Sequence, residues 1–529
     1  MHKEKTMHHH HGLTEEQRNF IEENYKEMSL KHIAKKLNVS RSSVQKYHKY
    51  LLEEKEASRD VTEKTVAGSM AGLVKISAVF ILILLFALFL RRHTFNLPHY
   101  RGDQHHYIGL AYKLDTEGVK GYNLRSINMY GVRNQPNVVV FGKADDKGHI
   151  LKSLEAAGIT YYDEPLHHMP WGFPTALIIS HKIFAPGEPY TTVAVNDTKI
   201  IQNAPPGVGL RNLRLDPDVA EKQFYAVIVP LFCSLLTIAL LFFLSKELFR
   251  NNTAALISMF LLSISPIAIL TSQKVWADDL TLVLAVLGAL LYLFSKNKNK
   301  PFLAFLAGLA CGASVITKQN GAIIPFSIAA WHFLSERKRL LNKKTFLKVI
   351  FDKKFLLFCG GAFLSSGYWF YKITATYGNP LYKPQQQNLL AASKTAWFRL
   401  VQGRRHLYLL GIPYQNPLFT LAYISPLWLW LDKKNFKNLL FPVTWLAVSF
   451  IIAYNLLGGE HRYMLPAYPA FAILAGYVVD RIRVSIDRSM GFGTGTVLTL
   501  LALLFSVFWS VPMVMEVIFH NGALIMKPF

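Results

Sequence analysis

Charge is scarce in this chain. Only 17% of its 529 residues are Asp, Glu, Lys or Arg, and just 34 acids stand against 58 Lys and Arg. That excludes an ordinary soluble protein, where about a quarter of residues are charged. Cysteine is nearly missing. The three present, Cys233, Cys311 and Cys359, each fall inside an apolar run. They read as buried thiols, and no disulfide framework is expected. The N-terminal portion is polar for about 65 residues, so no cleavable signal peptide is expected. A run of histidines, His8 to His11, reads as a short tag or a chance run within a disordered tail over 1–11. No inverted repeat is evident, which counts against a transporter or flippase.

Apolar sequence is abundant: 51% of residues are hydrophobic and 13% aromatic. From Leu73 onward long apolar runs alternate with short basic stretches. In lipid only helices and closed barrels satisfy the backbone, so this pattern predicts an all-α polytopic membrane protein. Eleven spans are expected, at about 73–90, 224–244, 253–270, 275–294, 301–316, 321–334, 355–371, 417–431, 439–457, 463–479 and 496–516. With the N-terminus in the cytoplasm, the inner loops hold 19 Lys and Arg, whereas the short outer loops 271–274, 317–320 and 458–462 hold 3. The positive-inside rule favours that orientation. Loop charge of this kind also accounts for the +24 net charge better than nucleic acid does. Arg91 and Arg92, on the outer side of the first span, run against it. Two segments are then large and exterior, 91–223, expected to be of mixed α structure, and 372–416.

Ahead of the membrane domain (73–529) and a linker (57–72), residues 12–56 read as three short helices. Phe20, Ile21 and Tyr25 mark one apolar face; Leu30, Ile33, Ala34 and Leu37 mark the next, with Ser29 as its cap. Asn38-Val39-Ser40 makes a turn before a helix carrying Val44, Tyr47 and Leu51. The string SLKHIAKKLNVSRSSVQKYHKYL resembles a helix-turn-helix. That resemblance implies a DNA contact through Arg41, Ser42, Ser43, Gln45 and Lys46. Residues 31–50 carry six Lys or Arg and no acid, although the whole module balances nine bases against eight acids. A protein contact is the competing reading.

Carboxylates at the outer end of a span are rare and usually functional. Asp103 follows the first span in HYRGDQHHYIGLAYKL, and Asp278 and Asp279 open the fourth in QKVWADDLTLVLAVLG. Each also reads as a plain helix start: Ile108, Ala111, Tyr112 and Leu114 suggest an amphipathic helix after Asp103, and acids in a first turn suit the helix dipole. Cations in the short outer loops are few, namely Lys274, Lys318, His461 and Arg462, with Arg101 nearby and Tyr463 adjoining. Lys318 and Arg462 read either as phosphate-binding groups or as side chains snorkelling at helix ends.

Taken in order, several pieces resemble GT-C fold glycosyltransferases of the protein mannosyltransferase and aminoarabinose transferase type. They are Asp103, the stretch HHMPWGFPTALIISHKIFAPGE, then LFRNNTAALISMFLLSISPIAILTSQKVWADD, GLACGASVITKQNGAIIP and GGEHRYMLPAYPAFAILAG. The resemblance runs from Val74 to Arg483. It implies a hexosyl-, mannosyl- or pentosyltransferase that moves a sugar from a polyprenyl-phosphate donor to an acceptor hydroxyl outside the membrane. It implies inversion, with Asp103 as base, Asp278 or Asp279 as the second acid, and Lys274, Lys318, His461, Arg462 and Arg101 near the departing phosphate. The acceptor is a glycan, lipid or protein. The chain departs from the family where Gln104 replaces the second acid of an Asp-Glu pair, and where His168-Met169-Pro170-Trp171 replaces a Lys-Pro-Pro-like segment. His105, His106, His167 and His168 with Asp103 then read as acceptor contacts or as ligands of a divalent metal, with no helical spacing linking them. The Trp-Trp-Asp-Tyr-Gly string of oligosaccharyltransferases does not occur. The alternative function is a membrane-tethered DNA-binding regulator with an exterior sensing domain.

Overall fold

The computed structural model describes residues 13–25, 28–96, 104, 107–108, 110–111, 114–116, 118, 129–132, 135–141, 161–163, 170–187, 223–378, 406–456, 461–491 and 493–520. The chain divides into two compact units, residues 1–80 and 81–529.

The first unit opens with α1 (Glu15–Asn24), α2 (Leu30–Leu37) and the start of α3 (Arg41–Arg91). Thr14 and Gln17 form a reciprocal capping box at α1, and the Ser29 side chain caps α2. Asn38 ends α2 in the left-handed region at φ 52°, a conformation asparagine tolerates better than most residues. Leu13, Ile21, Ile33, Ala34, Val44 and Tyr47 make the shared core, and the Tyr47 hydroxyl donates to Glu22 at 2.6 Å.

All eleven expected apolar runs carry helix, the first of them beginning in the first unit and the other ten lying in the second. Among the described residues, four stretches are long and apolar enough to cross a membrane. They are Val74–Thr94 at the end of α3, α5 (Phe224–Phe249), α8 (Asp278–Asn297) and Thr494–Val517 within α14 (Thr494–His520). The run expected as one span over 253–270 is instead two helices, α6 (Asn252–Ser263) and α7 (Pro266–Ser272), bent by 61°. Pro266 has no N–H to continue the ladder, so the helix breaks ahead of it. Residues 417–431 are likewise interrupted, as Pro417–Phe419, Thr420–Ile424 and Pro426–Leu431. His461–Ala467 is a 3-10 segment that leads into α13 (Tyr468–Met490).

Packing around the site relies on small residues. Helices α9 (Pro301–Thr317) and α11 (Lys353–Tyr377) meet where Gly308 faces the Phe358 carbonyl and Gly361 faces the Phe305 carbonyl; a Cβ at either glycine would strike backbone. Without a hydrophobic drive between helices in lipid, such close backbone contact supplies the attraction. On α11, Cys359 is exposed, unlike the buried Cys233 and Cys311, because it lies off the inward face that carries Phe358, Gly361 and Ala362. The expected mixed α structure of 91–223 also holds a small antiparallel sheet: β1 (Met129–Val132) pairs with both β2 (Gln135–Phe141) and β3 (Tyr161–Asp163). The run Val138-Val139-Val140-Phe141 and the pair Tyr161-Tyr162 are strand-favouring residue types, which explains the departure. Helix α4 (Gly172–Phe184) closes on the end of α9, where a Cβ on Gly172 would meet the Ile316 carbonyl at 2.6 Å.

Candidate active site

The five residues Gln273 to Ala277 link α7 to α8 and set the site. Their backbone is anchored from the segment after the first span: the Val275 N–H donates to Gln104 Oε1 at 3.1 Å, and Gln104 is buried. Tyr107, Ile108, Leu110 and Ala111 then join one apolar core with Val275, Ala277, Phe173 and Trp369. Ile108 and Ala111 are thus buried and Leu114 packs partly buried against the same core, while Tyr112 lies outside the described residues; the contact fixes this stretch against the loop ahead of α8. Asp103, Arg101, His105, His106, His167 and His168 lie outside the described residues. Among the described residues no group of three or more His, Cys, Asp or Glu is gathered as a metal set.

Asp278 and Asp279 are neighbours in the first turn of α8, where the backbone N–H groups favour negative charge. Successive helical residues point about 100° apart, and the two carboxylates accordingly have different partners. Asp278 receives Lys318 Nζ on both oxygens, at 2.7 Å each. Lys318 ends α9 in an extended conformation and precedes the 3-10 turn Gln319–Ala322. The Ser314 hydroxyl, donating to the Thr281 carbonyl at 2.9 Å, locks the last turn of α9 to the first turn of α8. A charge-assisted pair of this length belongs to the strong class of hydrogen bonds.

Aromatic faces complete the cluster. Lys318 Nζ lies 5.3 Å from the centre of the Tyr463 ring. The Arg462 guanidinium lies 4.3 Å from the Trp276 ring centre and 5.4 Å from that of Tyr463. Tyr463 therefore stands between two cations, and both gain from its ring quadrupole. Lys274 is buried in the same loop, its backbone bonded to Thr271 and Trp276. The buried Trp276 Nε1 and Asn320 Oδ1 have no hydrogen-bond partner among the described residues.

Asp279 turns to Ser234 and Thr271, whose side chains hydrogen-bond it, while Oδ2 finds no hydrogen-bond partner among the described residues. Arg91 is within electrostatic reach of it and is fully buried. The guanidinium donates from Nε to Ser234 Oγ at 3.1 Å and from Nη1 to the Ala87 and Ser263 carbonyls at 3.1 and 2.9 Å. Ser263 is the last residue of α6, so Arg91 takes up a carbonyl at the helix break. The cation that ran against the expected orientation is thus an interior counter-charge, not loop charge.

His461 is buried beside Tyr468. Its Nε2 is 2.7 Å from the Tyr468 hydroxyl, which donates to Gln415 Oε1 at 3.1 Å, so Nε2 carries the proton. Burial pushes the imidazole pKa down to about 4. His461 is therefore neutral at pH 7, and the cationic role expected of it does not fit; it braces the turn that bears Arg462. Two contributors went unread in the sequence, Trp276 and Ser234, while Gln104 was read only as the missing second acid of a pair and Arg91 only as a basic residue on the wrong side of a span.

Residues 219–352 match the family model described as Dolichyl-phosphate-mannose-protein mannosyltransferase. A similar curated protein is an uncharacterized protein of Aquifex aeolicus, 24% identical over 254 residues, covering 48% of this chain and 47% of the relative. The chain thus spans about half the length of that relative. Among solved structures, the Archaeoglobus fulgidus oligosaccharyltransferase is similar at 13% identity and a TM-score of 0.48, over 84% of this chain and 56% of that one. ArnT from Cupriavidus metallidurans, solved bound to undecaprenyl phosphate, is similar at 13% identity and a TM-score of 0.45, over 86% and 72%. The matched segment holds α5 to α9, both acids and Lys318.

Proposed function

We propose that the protein transfers a sugar from a polyprenyl-phosphate-linked donor to an acceptor hydroxyl at the exterior face of the membrane, with inversion. The observation that carries the reading is the Lys318–Asp278 pair set beside Arg462 on the faces of Trp276 and Tyr463. Residues from three distant parts of the chain supply it. Two adjacent cations suit an anionic group such as a lipid phosphate.

In the reaction, the acceptor oxygen bonds to the anomeric carbon while the bond from that carbon to the phosphate oxygen breaks. The electron pair leaves with the polyprenyl phosphate. Lys318 and Arg462 stabilise the charge that develops there, and Asp278 holds Lys318 in place. The acceptor proton passes to a carboxylate, assigned to Asp103 by its place in the family pattern. The Gln104 bond to Val275 supports this assignment, since it ties the residue next to Asp103 to the loop that leads into Asp278. In-line attack inverts the anomeric centre. The distribution of basic loops supports an exterior site and a cytoplasmic N-terminus.

The test is transfer by the purified full chain from a panel of labelled polyprenyl-phosphate hexoses, pentoses and aminopentoses, following both label transfer and release of polyprenyl phosphate. Asp103→Asn is expected to lose about 10²–10⁴-fold in turnover, the usual worth of a positioned base. Full activity in that variant removes Asp103 as the base. No turnover of any polyprenyl donor by the parent chain sinks the reading.

A further inference from the structure

We propose that the three-helix unit at the N-terminus binds double-stranded DNA, with the first turns of α3 seated in the major groove. The inference does not depend on the transferase reading. It begins with how α3 is faced. Val44 and Tyr47 are buried against α1 and α2, whereas Arg41, Ser42, Gln45, Lys46 and Lys49 are exposed. At 100° per residue, those five share one arc of the helix, opposite the buried pair.

Charge is divided along the same lines. Residues 31–50 carry six Lys or Arg and no acid, and Lys31, Lys35, Lys36, Arg41, Lys46 and Lys49 are all exposed. The acids are elsewhere: Glu16, Glu22 and Glu23 lie on α1, and acids resume on α3 only at Glu53. A polyanion is therefore attracted to α2 and the first turns of α3, and repelled on either side of them. The turn between α2 and α3 is three residues, Asn38 to Ser40, with Asn38 left-handed. That short link keeps the basic residues of α2 and of the start of α3 within one small unit.

Which polyanion is decided by the shape and chemistry of the face. A B-form major groove is about 12 Å wide and admits one α-helix, whereas the deep, narrow major groove of A-form RNA does not. Arg41, Ser42 and Gln45 carry the donors and acceptors that read base edges, and Lys31, Lys35, Lys36, Lys46 and Lys49 suit the flanking phosphates. A lipid surface would call for apolar residues to insert beside the cations. Here the partly buried Leu37 and Val39 pack inward onto the core, which leaves the basic face polar.

The experiment uses the full chain in nanodiscs of uncharged phosphatidylcholine and a fluorescent random-sequence 20-bp duplex, read by anisotropy across a KCl series. Binding is expected to weaken steeply with salt, the six cations bounding the log–log slope at about −5 on ~0.9 per neutralised phosphate. Lys35→Ala/Lys46→Ala should lower that slope by about two and weaken binding to every duplex alike. Arg41→Ala/Gln45→Ala should flatten whatever sequence preference emerges from selection on a randomised duplex pool. All four side chains are exposed, and unchanged elution and helical circular dichroism check that the unit still folds. The proposal is overturned if the parent binds no duplex at low salt, or if both double variants bind like the parent. It is also overturned if structured RNA or phosphatidylglycerol vesicles capture the protein more tightly than duplex DNA.

Discussion

The Asp278–Lys318 pair is open to a double-mutant cycle whose magnitudes follow from its surroundings. The Asp278 side chain is 1% exposed and that of Lys318 15%. Lys318→Met strands a carboxylate that has no route to water, and removing one partner of a buried pair costs about 3–5 kcal/mol. Asp278→Leu strands the ammonium instead, but its flexible stem already reaches the surface, so the loss is smaller, about 1–3 kcal/mol. Replacing both partners leaves no buried charge, and exchanges of that kind are commonly neutral or stabilising. The Asp278→Leu/Lys318→Met protein should therefore be about as stable as the parent, and more stable than either single variant. Unfolding by graded addition of SDS in mixed micelles, followed by tryptophan fluorescence, gives the four free energies. Transfer from the polyprenyl donor should stay lost in all three variants, because Lys318 is required at the phosphate whether or not the fold is restored. Two results refute the reasoning. If the single losses simply add in the double variant, the two side chains are not coupled. If the double variant recovers transfer together with stability, the pair only holds α8 to α9.

Three further outcomes follow from other parts of the fold. Because His461 is neutral when folded and protonates near 6.5 when unfolded, the unfolded chain binds more protons between pH 6.5 and 4; stability from this group is full above 6.5 and falls by about 3 kcal/mol as pH drops to 4, a slope that His461→Gln should remove in unfolding measured across pH. Arg91→Met deprives the Ser263 carbonyl and Ser234 of their guanidinium partner and leaves Asp279 without its counter-charge, which should cost about 3–5 kcal/mol in the same micelle assay, and Arg91→Lys should recover only part of that because an ammonium cannot reproduce the planar fork. Gly308→Ala drives a Cβ into the Phe358 carbonyl and should destabilise by about 1–3 kcal/mol or more, whereas Gly360→Ala meets nothing within 4 Å and should be neutral or slightly stabilising in the same unfolding series.

Much of the membrane domain was legible because lipid leaves so few options for the backbone: an apolar run bounded by basic loops has to be helix, and every such run is. The breaks were harder to see. Pro266 and Pro417 stand in the sequence, but proline within an apolar run is compatible with a kinked helix as well as with a broken one. Choosing between them requires knowing who takes the freed carbonyls, and at Ser263 the taker is Arg91, 172 residues away. Asp278, Lys318 and Arg462 were readable because charge is rare at the ends of spans, and Tyr463 because it adjoins Arg462. Trp276 did not stand out, because an interfacial tryptophan is ordinary in composition, and Gln104 stood out only as the missing second acid of an Asp-Glu pair. Their importance comes from where they land: Gln104 on the backbone of Val275, Trp276 under the Arg462 guanidinium.

The two acids at the start of α8 are easily taken as a redundant pair, and their environments argue otherwise. Asp278 is tied to a cation that itself borders Tyr463 and lies close to Arg462. Asp279 is tied through Ser234 to an arginine that closes the break between α6 and α7. One helical turn thus couples the Lys318–Arg462 cluster to the irregular backbone at the break between α6 and α7. Non-helical backbone at membrane depth is tolerated only where protein groups or water satisfy it, so the break at Ser263 needs Arg91, and a buried Arg91 needs an anion. Asp279 supplies that anion, while the same first turn orients Asp278 toward Lys318. On this logic an Asp279→Asn exchange should lower stability chiefly by unbalancing Arg91, and should reduce turnover only as far as the α8 start shifts. Asp278→Asn should do the reverse, and measuring both quantities on both variants separates the two carboxylates.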